Sequence, residues 1–465
     1  MVTARGESGQ GALLAFYGDD FTGASENMAQ YHRHGLKTFM FLDHPSADEF
    51  AAKAREYDVV GIAGIARSLG PEAMRREVGA AFRLFRNAGF RFVQYKLCST
   101  FDSSRMVGNL GVVVDLAREI FPDCFLPVFA AMPEFGRHTI FGQHFARFGD
   151  WVFRLDRHPS MSRHPTTPMT EADLGRILED QGAPKCGLVD TLTYARGVVA
   201  TAKTIARERA RVPGPIVFDG LNDDDCRLVA EAIWGAANGL EPVVVLSSQG
   251  FAHGFGRFRM KRPARRTPPI EALAAVETLL VVSGSAAPLT ARQIDVFARS
   301  GAATARLVAS RTLDPARTSE AIAAAVDAAS RALGAGRSVC VYTALGPEDE
   351  DTAALREVAA RSTLDAGEIA RRIGEALSEV VMRLVERHGL TRVVIAGGDT
   401  SSYALRRMAP QGLAVISGDY ATSAHVLRLS GTPSVDGLEM TLKGGQVGEE
   451  GFFVTLRDGR AASPG

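Results

Sequence analysis

The sequence predicts an α/β protein of two α/β domains with mostly parallel sheets, its ligand sites at the C-terminal ends of strands and in the interdomain cleft. Three observations predict it. Apolar runs of strand length alternate with helical patterns, a basic and proline-rich stretch interrupts the alternation once, and loops rich in glycine or aspartate follow several of the runs. A chain of 465 residues, 46% hydrophobic and 23% charged, suits two or three globular domains with a large core. Lys+Arg and Asp+Glu both total 53, so no global field draws the chain to nucleic acid or an anionic membrane. A small-molecule partner is expected instead. The five cysteines stand singly, without a C-x-x-C pair, which argues against a disulfide framework or a zinc site and for a reducing cytoplasm. Residues 1–11, MVTARGESGQG, read as a disordered tail without the apolar stretch of a secretory signal.

From residue 12 to 252 the runs ALLAFY (12–17), YDVVGIAGI (from Tyr57), RFVQYKL (from Arg91), CFLPVFAA (from Cys124), PIVFDG (from Pro215) and PVVVL (from Pro242) mark strands of a first domain. Between them, Met74, Val78, Phe82 and Phe85 recur at helical spacing behind Pro71, a residue suited to a helix's first turn. Residues 253–275 carry the basic, proline-rich run HGFGRFRMKRPARRTPPI and read as a linker. Residues 276–465 restart the pattern with TLLVVSGSAAPLTARQI, VCVYTALG and RVVIAGGDTSSYALRRM, which makes a second α/β domain.

Loops after strands are where open α/β sheets bind ligands, and they sort by chemistry. Gly18-Asp19-Asp20-Phe21-Thr22-Gly23 follows the first strand. One aspartate there is explained as a helix cap, but two in succession repel each other, so a carboxylate that takes the proton of a substrate hydroxyl is the stronger reading. Lys96, Ser99, Thr100 and Asp102 end another strand and offer the mixture of charge and hydroxyls that a polyhydroxy acid needs. Arg67, after GIAGI, is a natural clamp for a carboxylate. In the second domain Ser283-Gly284-Ser285, Gly397-Gly398-Asp399-Thr400 and Lys443-Gly444-Gly445 present backbone N–H groups suited to phosphate. No Gly-Lys dipeptide and no G-x-G-x-x-G occurs, against a Walker A loop and an ordinary dinucleotide enzyme. The histidines form no metal-ligand pattern, and no protein metal site is expected. These residues imply a kinase with two half-sites.

The motifs resemble the four-carbon acid sugar kinases, which phosphorylate tetronates and 3-oxo-tetronates at the terminal hydroxyl using ATP. The resemblance rests on DDFTGA (19–24), KLCSTFDSS (96–104), HPTTPMTEADL (164–174), SGS (283–285), AGGDTS (396–401) and LKGGQVGEEGFF (442–453), and spans nearly the whole chain. It implies a sugar-acid-binding N-terminal domain and a nucleotide-binding C-terminal domain. It also implies ATP contacts at Ser285, Gly397, Gly398, Asp399, Thr400 and Gly445 and a substrate contact at Arg137. Phosphoryl transfer from ATP calls for Mg²⁺ carried on the phosphates, and the sequence leaves the oligomeric state open, a homodimer included. Asp19 or Asp20 would be the base, with the two not separable from sequence. Departures fall where substrate is chosen: Gly18 replaces the usual alanine, Ile65-Ala66-Arg67 the usual lysine-serine-arginine, and Gly142-Gln143-His144 the usual glycine-tyrosine-leucine. A branched oxo-acid such as 3-oxo-isoapionate is therefore a candidate beside threonate and erythronate.

Overall fold

The computed structural model describes residues 12–461 except 165, 238–241, 260–271, 347, 363, 365, 398–402, 406, 419–424 and 446. The chain divides into two compact units, Met1–Ala264 and Arg265–Gly465. In the first, strands β1 (Leu14–Gly18), β2 (Thr38–Phe41), β3 (Val59–Ala63), β4 (Phe92–Lys96) and β5 (Pro127–Phe129) form the main sheet together with three later strands. Those are β9 (Gly187–Val189), β10 (Ile216–Phe218) and β11 (Val243–Ser247), and the order across the sheet is β2-β3-β1-β4-β11-β5-β10-β9. Every pairing in this run is parallel. Helices on both faces bury β1, β3, β4 and β11 at every position, which is why these strands read as unbroken apolar runs. The strand order reverses at β1, with β3 on one side and β4 on the other, so a crevice opens at their carboxyl ends.

Helix α1 (Phe21–Arg33) is tied to the sheet from below the crevice. Buried Gln94 of β4 exchanges hydrogen bonds with Asn27 (2.9 Å each way) and accepts from Tyr31 at 2.9 Å. Under the strand ends, Tyr17 stacks on Tyr95 with ring centroids 5.8 Å apart. The helix Pro71–Asn87 forms where its apolar period predicts, with Met74, Val78, Phe82 and Phe85 buried. A second, antiparallel sheet of β6 (Arg137–Ile140), β7 (Gln143–Phe148) and β8 (Trp151–Arg154) was not expected from the run pattern, because its residues are mostly polar or half-exposed. Its tight turn at Phe141 (φ 51°) and Gly142 (φ 75°) is held by the buried Asp219, which accepts from both amides at 2.6 and 2.9 Å.

The expected linker of residues 253–275 needs correction at both ends. The helix Gln249–Arg259 runs into it, burying His253, Phe255 and Arg257. Arg257 donates to the Asp223 carbonyl at 2.6 Å and to Asp224 at 3.0 Å, so a charge read as solvated works inside the first unit. At the other end Leu273 already pairs with Arg460 of the second unit. Residues 260–271, like the tail 1–11, lie outside the described residues.

The second unit contains β12 (Leu280–Ser283), β13 (Ala303–Arg306), β14 (Val339–Tyr342), β15 (Arg392–Ala396), β16 (Gly412–Ser417), β17 (Val426–Ser430) and β18 (Glu439–Lys443). Their order is β13-β14-β12-β15-β18-β17-β16, parallel as far as β18 and antiparallel beyond it. Arg392, fully buried, closes this unit: it donates to Glu439 at 2.6 and 2.9 Å and to the carbonyls of Ala274 (2.8 Å) and Leu456 (2.7 Å). Arg392→Met leaves these acceptors without their donor, and a loss of about 3 kcal/mol in denaturant unfolding of the second unit is expected.

Candidate active site

In the first unit Gly18, the last residue of β1, pairs in register with Ala63 of β3 and Lys96 of β4, so three loops leave the sheet at one level. Backbone bonds then bind the loops together. Asp19 donates its N–H to the Lys96 carbonyl (3.0 Å), Gly64 to Gly18 (2.8 Å) and Arg67 to Asp19 (3.1 Å). The two aspartates part ways. Asp20 caps α1, one carboxylate oxygen accepting from the Gly23 amide at 2.8 Å and the other pairing with Arg67. The carboxyl of Asp19 turns inward, 3% exposed, where it accepts from the backbone of Cys98 while its Oδ1 has no hydrogen-bond partner. Burial pushes the Asp19 carboxyl up to about 6, with Asp20 adding to the rise and Lys96 and Arg67 opposing it.

Lys96 is 2% exposed, and its ammonium crosses the first turn of α1. A Cβ on Gly23 would lie 2.4 Å from Lys96 Nζ and 2.4 Å from Asp20 Oδ1, so glycine is what permits this approach. For Arg67, burial opposes the charge, but Asp20 and Asp19 outweigh it and hold the guanidinium above its ordinary value. Its expected role as a carboxylate clamp is therefore shared, since Asp20 already takes one arm.

The loop after β4 folds on itself. Thr100 Oγ1 donates to Asp102 at 2.7 Å, Cys98 Sγ lies 3.1 Å from the same hydroxyl, and Phe101 takes a left-handed φ of 59°. Sequence reasoning did not single out His144, which anchors this loop. Fully buried, its imidazole is driven down to about 4 by desolvation and is neutral; Nε2 donates to the Ser99 carbonyl at 2.8 Å and Nδ1 accepts from Thr139 at 3.0 Å. The only sequence signal was that His144 stands in a segment departing from the family pattern. Arg137 spends Nη1 on the Phe135 carbonyl at 3.0 Å and keeps a buried Nε without a partner. Burial lowers its affinity for the proton, and Cys98 and Asp102 act against that loss. Asp19, Asp20, Arg67, Lys96, Thr100, Asp102 and Arg137 thus come together, with Ser99 fixed by its carbonyl.

In the second unit Ser283 of β12 and Lys443 of β18 both pair with Ala396 of β15. Gly284 donates to the Ala396 carbonyl at 3.0 Å and Gly397 to that of Lys443 at 2.9 Å, Gly397 having a φ of 123° open only to glycine. Ser285 Oγ accepts from the Ala287 amide (3.2 Å) at the start of the helix Pro288–Arg299. A Cβ on Gly445 would sit 2.4 Å from Ser285 Oγ and 2.8 Å from Ala287 Cβ, so two of the glycine-rich loops interlock. Ser285, Gly397 and Gly445 are thereby gathered; Gly398, Asp399 and Thr400 lie outside the described residues. Backbone amides at strand ends and a helix start fit a nucleotide's phosphates. Among the described residues no group of three His, Cys, Asp or Glu could hold a metal ion, and no helix is long and apolar enough to cross a membrane. All five cysteines are free.

Residues 14–255 match a family model described as a sugar-binding N-terminal domain, and residues 280–453 one described as a nucleotide-binding C-terminal domain. The chain is 36% identical over 454 residues to the 3-oxo-isoapionate kinase of Paraburkholderia graminis, covering 97% of this chain and 95% of that protein. It is 30% identical over 443 residues to the 3-oxo-tetronate kinase of Methylobacterium radiotolerans, covering 95% and 97%. The chain belongs to the four-carbon acid sugar kinase family. Like its relatives in that family, it is a phosphotransferase. Among solved structures, one from Salmonella typhimurium LT2 superposes with a TM-score of 0.78 at 25% identity, covering 95% of this chain and 98% of that one. A Haemophilus influenzae protein shares the fold with a TM-score of 0.76 at 22% identity, covering 95% and 99%.

If the interlocked loops form the nucleotide half of a kinase site, Gly445→Ala should weaken ATP binding by about tenfold or more, because the methyl group must displace Ser285 and Ala287. Calorimetric titration with ATP checks this, with sugar-acid binding to the same variant expected to stay unchanged.

Proposed function

We propose that the protein transfers the γ-phosphoryl group of ATP to a primary hydroxyl of a short oxo sugar acid, with 3-oxo-isoapionate the foremost candidate and 3-oxo-tetronate the alternative. The higher identity to the isoapionate kinase, 36% against 30% or less for the tetronate kinases, supports that order. So do the departures at residues 18, 65–66 and 143–144, all in or beside the first unit's cluster. The observation that carries the mechanism is the buried, unpartnered Oδ1 of Asp19.

Asp19 is the base in this reading, and Asp20 supports it. A carboxylate that titrates near 6 is ionised at neutral pH yet basic enough to accept the proton of a hydroxyl whose oxygen forms the new bond to phosphorus. Asp20, committed to the Gly23 amide and to Arg67, fixes the direction of both the helix and the guanidinium. Lys96 and the remaining N–H groups of Arg67 and Arg137 meet the substrate's carboxylate and oxo oxygen, while Thr100 and Asp102 order its hydroxyls. In the second unit Ser285, Gly397 and Gly445, with Gly398, Asp399 and Thr400, receive the nucleotide. Bound ATP would supply the phosphoryl group and would bring Mg²⁺ with it to neutralise the charge of the phosphates, which asks for no cage of protein carboxylates.

Purified protein with Mg·ATP should release ADP with one member of a panel of 3-oxo-isoapionate, 3-oxo-tetronates, threonate and erythronate; ATP binding with no turnover on any of them would place the substrate elsewhere. Asp19→Asn is expected to lower kcat by about 100-fold to 10,000-fold with ATP affinity intact. In the wild-type enzyme kcat/KM should fall on the acid side with an apparent pKa near 6 as Asp19 takes a proton.

The same substitution should raise stability. A carboxyl whose folded-state pKa lies above its unfolded one favours the folded state most below the unfolded value, and that contribution is lost as pH rises through 6. At pH 8 Asp19→Asn should therefore gain about 1–3 kcal/mol over wild type in urea unfolding, the gain vanishing near pH 4.

A further inference from the structure

We infer that Lys443 is a phosphate-binding residue of the nucleotide half-site, its ammonium meeting the phosphate chain from the side of the helix Pro288–Arg299. The inference rests on the reading of the second unit as the nucleotide half of a kinase and adds to it a residue outside the family's ATP positions used above.

The backbone places Lys443 at the site: it ends β18, pairs with Ala396 and accepts from the Gly397 amide at 2.9 Å. Its side chain is 3% exposed and runs toward the first turn of the helix. There Nζ donates to Thr290 Oγ1 at 3.2 Å, and the Thr290 hydroxyl donates in turn to the Gly445 carbonyl at 2.7 Å. One hydroxyl therefore links the ammonium to the interlocked loop. On its other side Nζ lies 5.7 Å from the centre of the Phe453 ring.

Among the described residues this environment gives a cation no anion. The charged side chains of the packed elements are spent on one another: Arg292 on Glu450, Arg299 on Asp295, Arg457 on Asp458 and, at the far end of β18, Arg392 on Glu439. No carboxylate, histidine or second cation among the described residues bears on the ammonium, and burial alone lowers it to about 8. It also stands beside the N-terminal, electropositive end of a helix, where a cation is disfavoured. A buried ammonium beside a helix start is disfavoured until an anion pairs with it, and a phosphate is the anion that the neighbouring loops are shaped to receive. Lysine, a point charge with two N–H groups still uncommitted, suits phosphate oxygens that change position as the chain binds.

Calorimetric titration of the full chain with ATP and with adenosine, from pH 7 to 9.5, tests this for wild type and Lys443→Met. The wild-type ATP affinity should hold below pH 8 and fall by about tenfold or more toward pH 9.5 as the ammonium loses its proton, with adenosine flat throughout. Lys443→Met, close in volume, should bind ATP about tenfold or more weakly at pH 7.5, lose the alkaline slope and keep wild-type affinity for adenosine. Equal losses for ATP and adenosine would mean a packing role and overturn the inference, as would ATP affinity that ignores the substitution. Should the variant fail to fold, a flat wild-type ATP profile overturns it unaided. Wild-type protein that binds adenosine and ATP not at all removes the nucleotide reading itself, a different failure from either of these.

Discussion

The first unit's chemistry depends on the register in which β1 pairs with β3 and β4. Parallel pairing puts all three carboxyl ends on one edge of the sheet, and the match of Gly18 with both Ala63 and Lys96 makes the three loops start level. Asp19, Arg67 and Lys96 can then reach one another within a residue or a short turn of their strands. A slip by one residue would send Lys96 to the opposite face and leave a buried carboxyl facing apolar side chains. Such a slip is opposed from beneath: the Gln94 hydrogen bonds to Asn27 and Tyr31 and the stacking of Tyr17 on Tyr95 are satisfied in this register. Polar groups that demand partners are more selective than apolar packing, which tolerates small shifts.

The same geometry explains why adjacent aspartates do different work. Asp20 has extended backbone angles, φ −148° and ψ 161°, and along extended chain successive side chains point to opposite sides. One carboxylate must turn out to the start of α1 and the other in beneath the loops. The outward one finds an amide and a guanidinium. The inward one finds a dry surround whose burial raises its pKa, against the opposing pull of Lys96 and one backbone amide. Two identical residues thus acquire different partners and different burial from chain geometry.

Much of the scaffold was legible because buried parallel strands announce themselves: RVVIA became β15 residue for residue, and DVVGIAGI, FVQYK and VVVL each hold a strand. The sheet of β6, β7 and β8 was not, since RHTI, QHFARF and WVFR neither alternate cleanly nor run apolar. The start of the linker was misread on charge. Phe251, Phe255 and Phe258 recur at helical spacing across it, and that signal outweighs the arginines once Arg257 is seen to be paired within the fold. In the site, loops at strand ends could be read directly, because position and chemistry coincide there. His144 could not: its bond to Ser99 spans 45 residues and exists only through the tertiary placement of the hairpin.

That hairpin carries the argument about specificity. Arg137 opens β6 and His144 lies on β7, so one small sheet supplies a charged group to the first unit's polar cluster and fixes the loop bearing Thr100 and Asp102. The altered residue His144 therefore bears on the cluster through the backbone of Ser99. A site lined with buried charges discriminates by pattern more than by size. A misplaced hydroxyl leaves Asp19 or Arg137 desolvated without a partner, at about 1–3 kcal/mol for each group, whereas an extra carbon in an open polar loop costs little. Under the proposed function, DDFTGA and Arg67 hold charge and proton, while the hairpin sets the points at which the acid's hydroxyls find their hydrogen bonds.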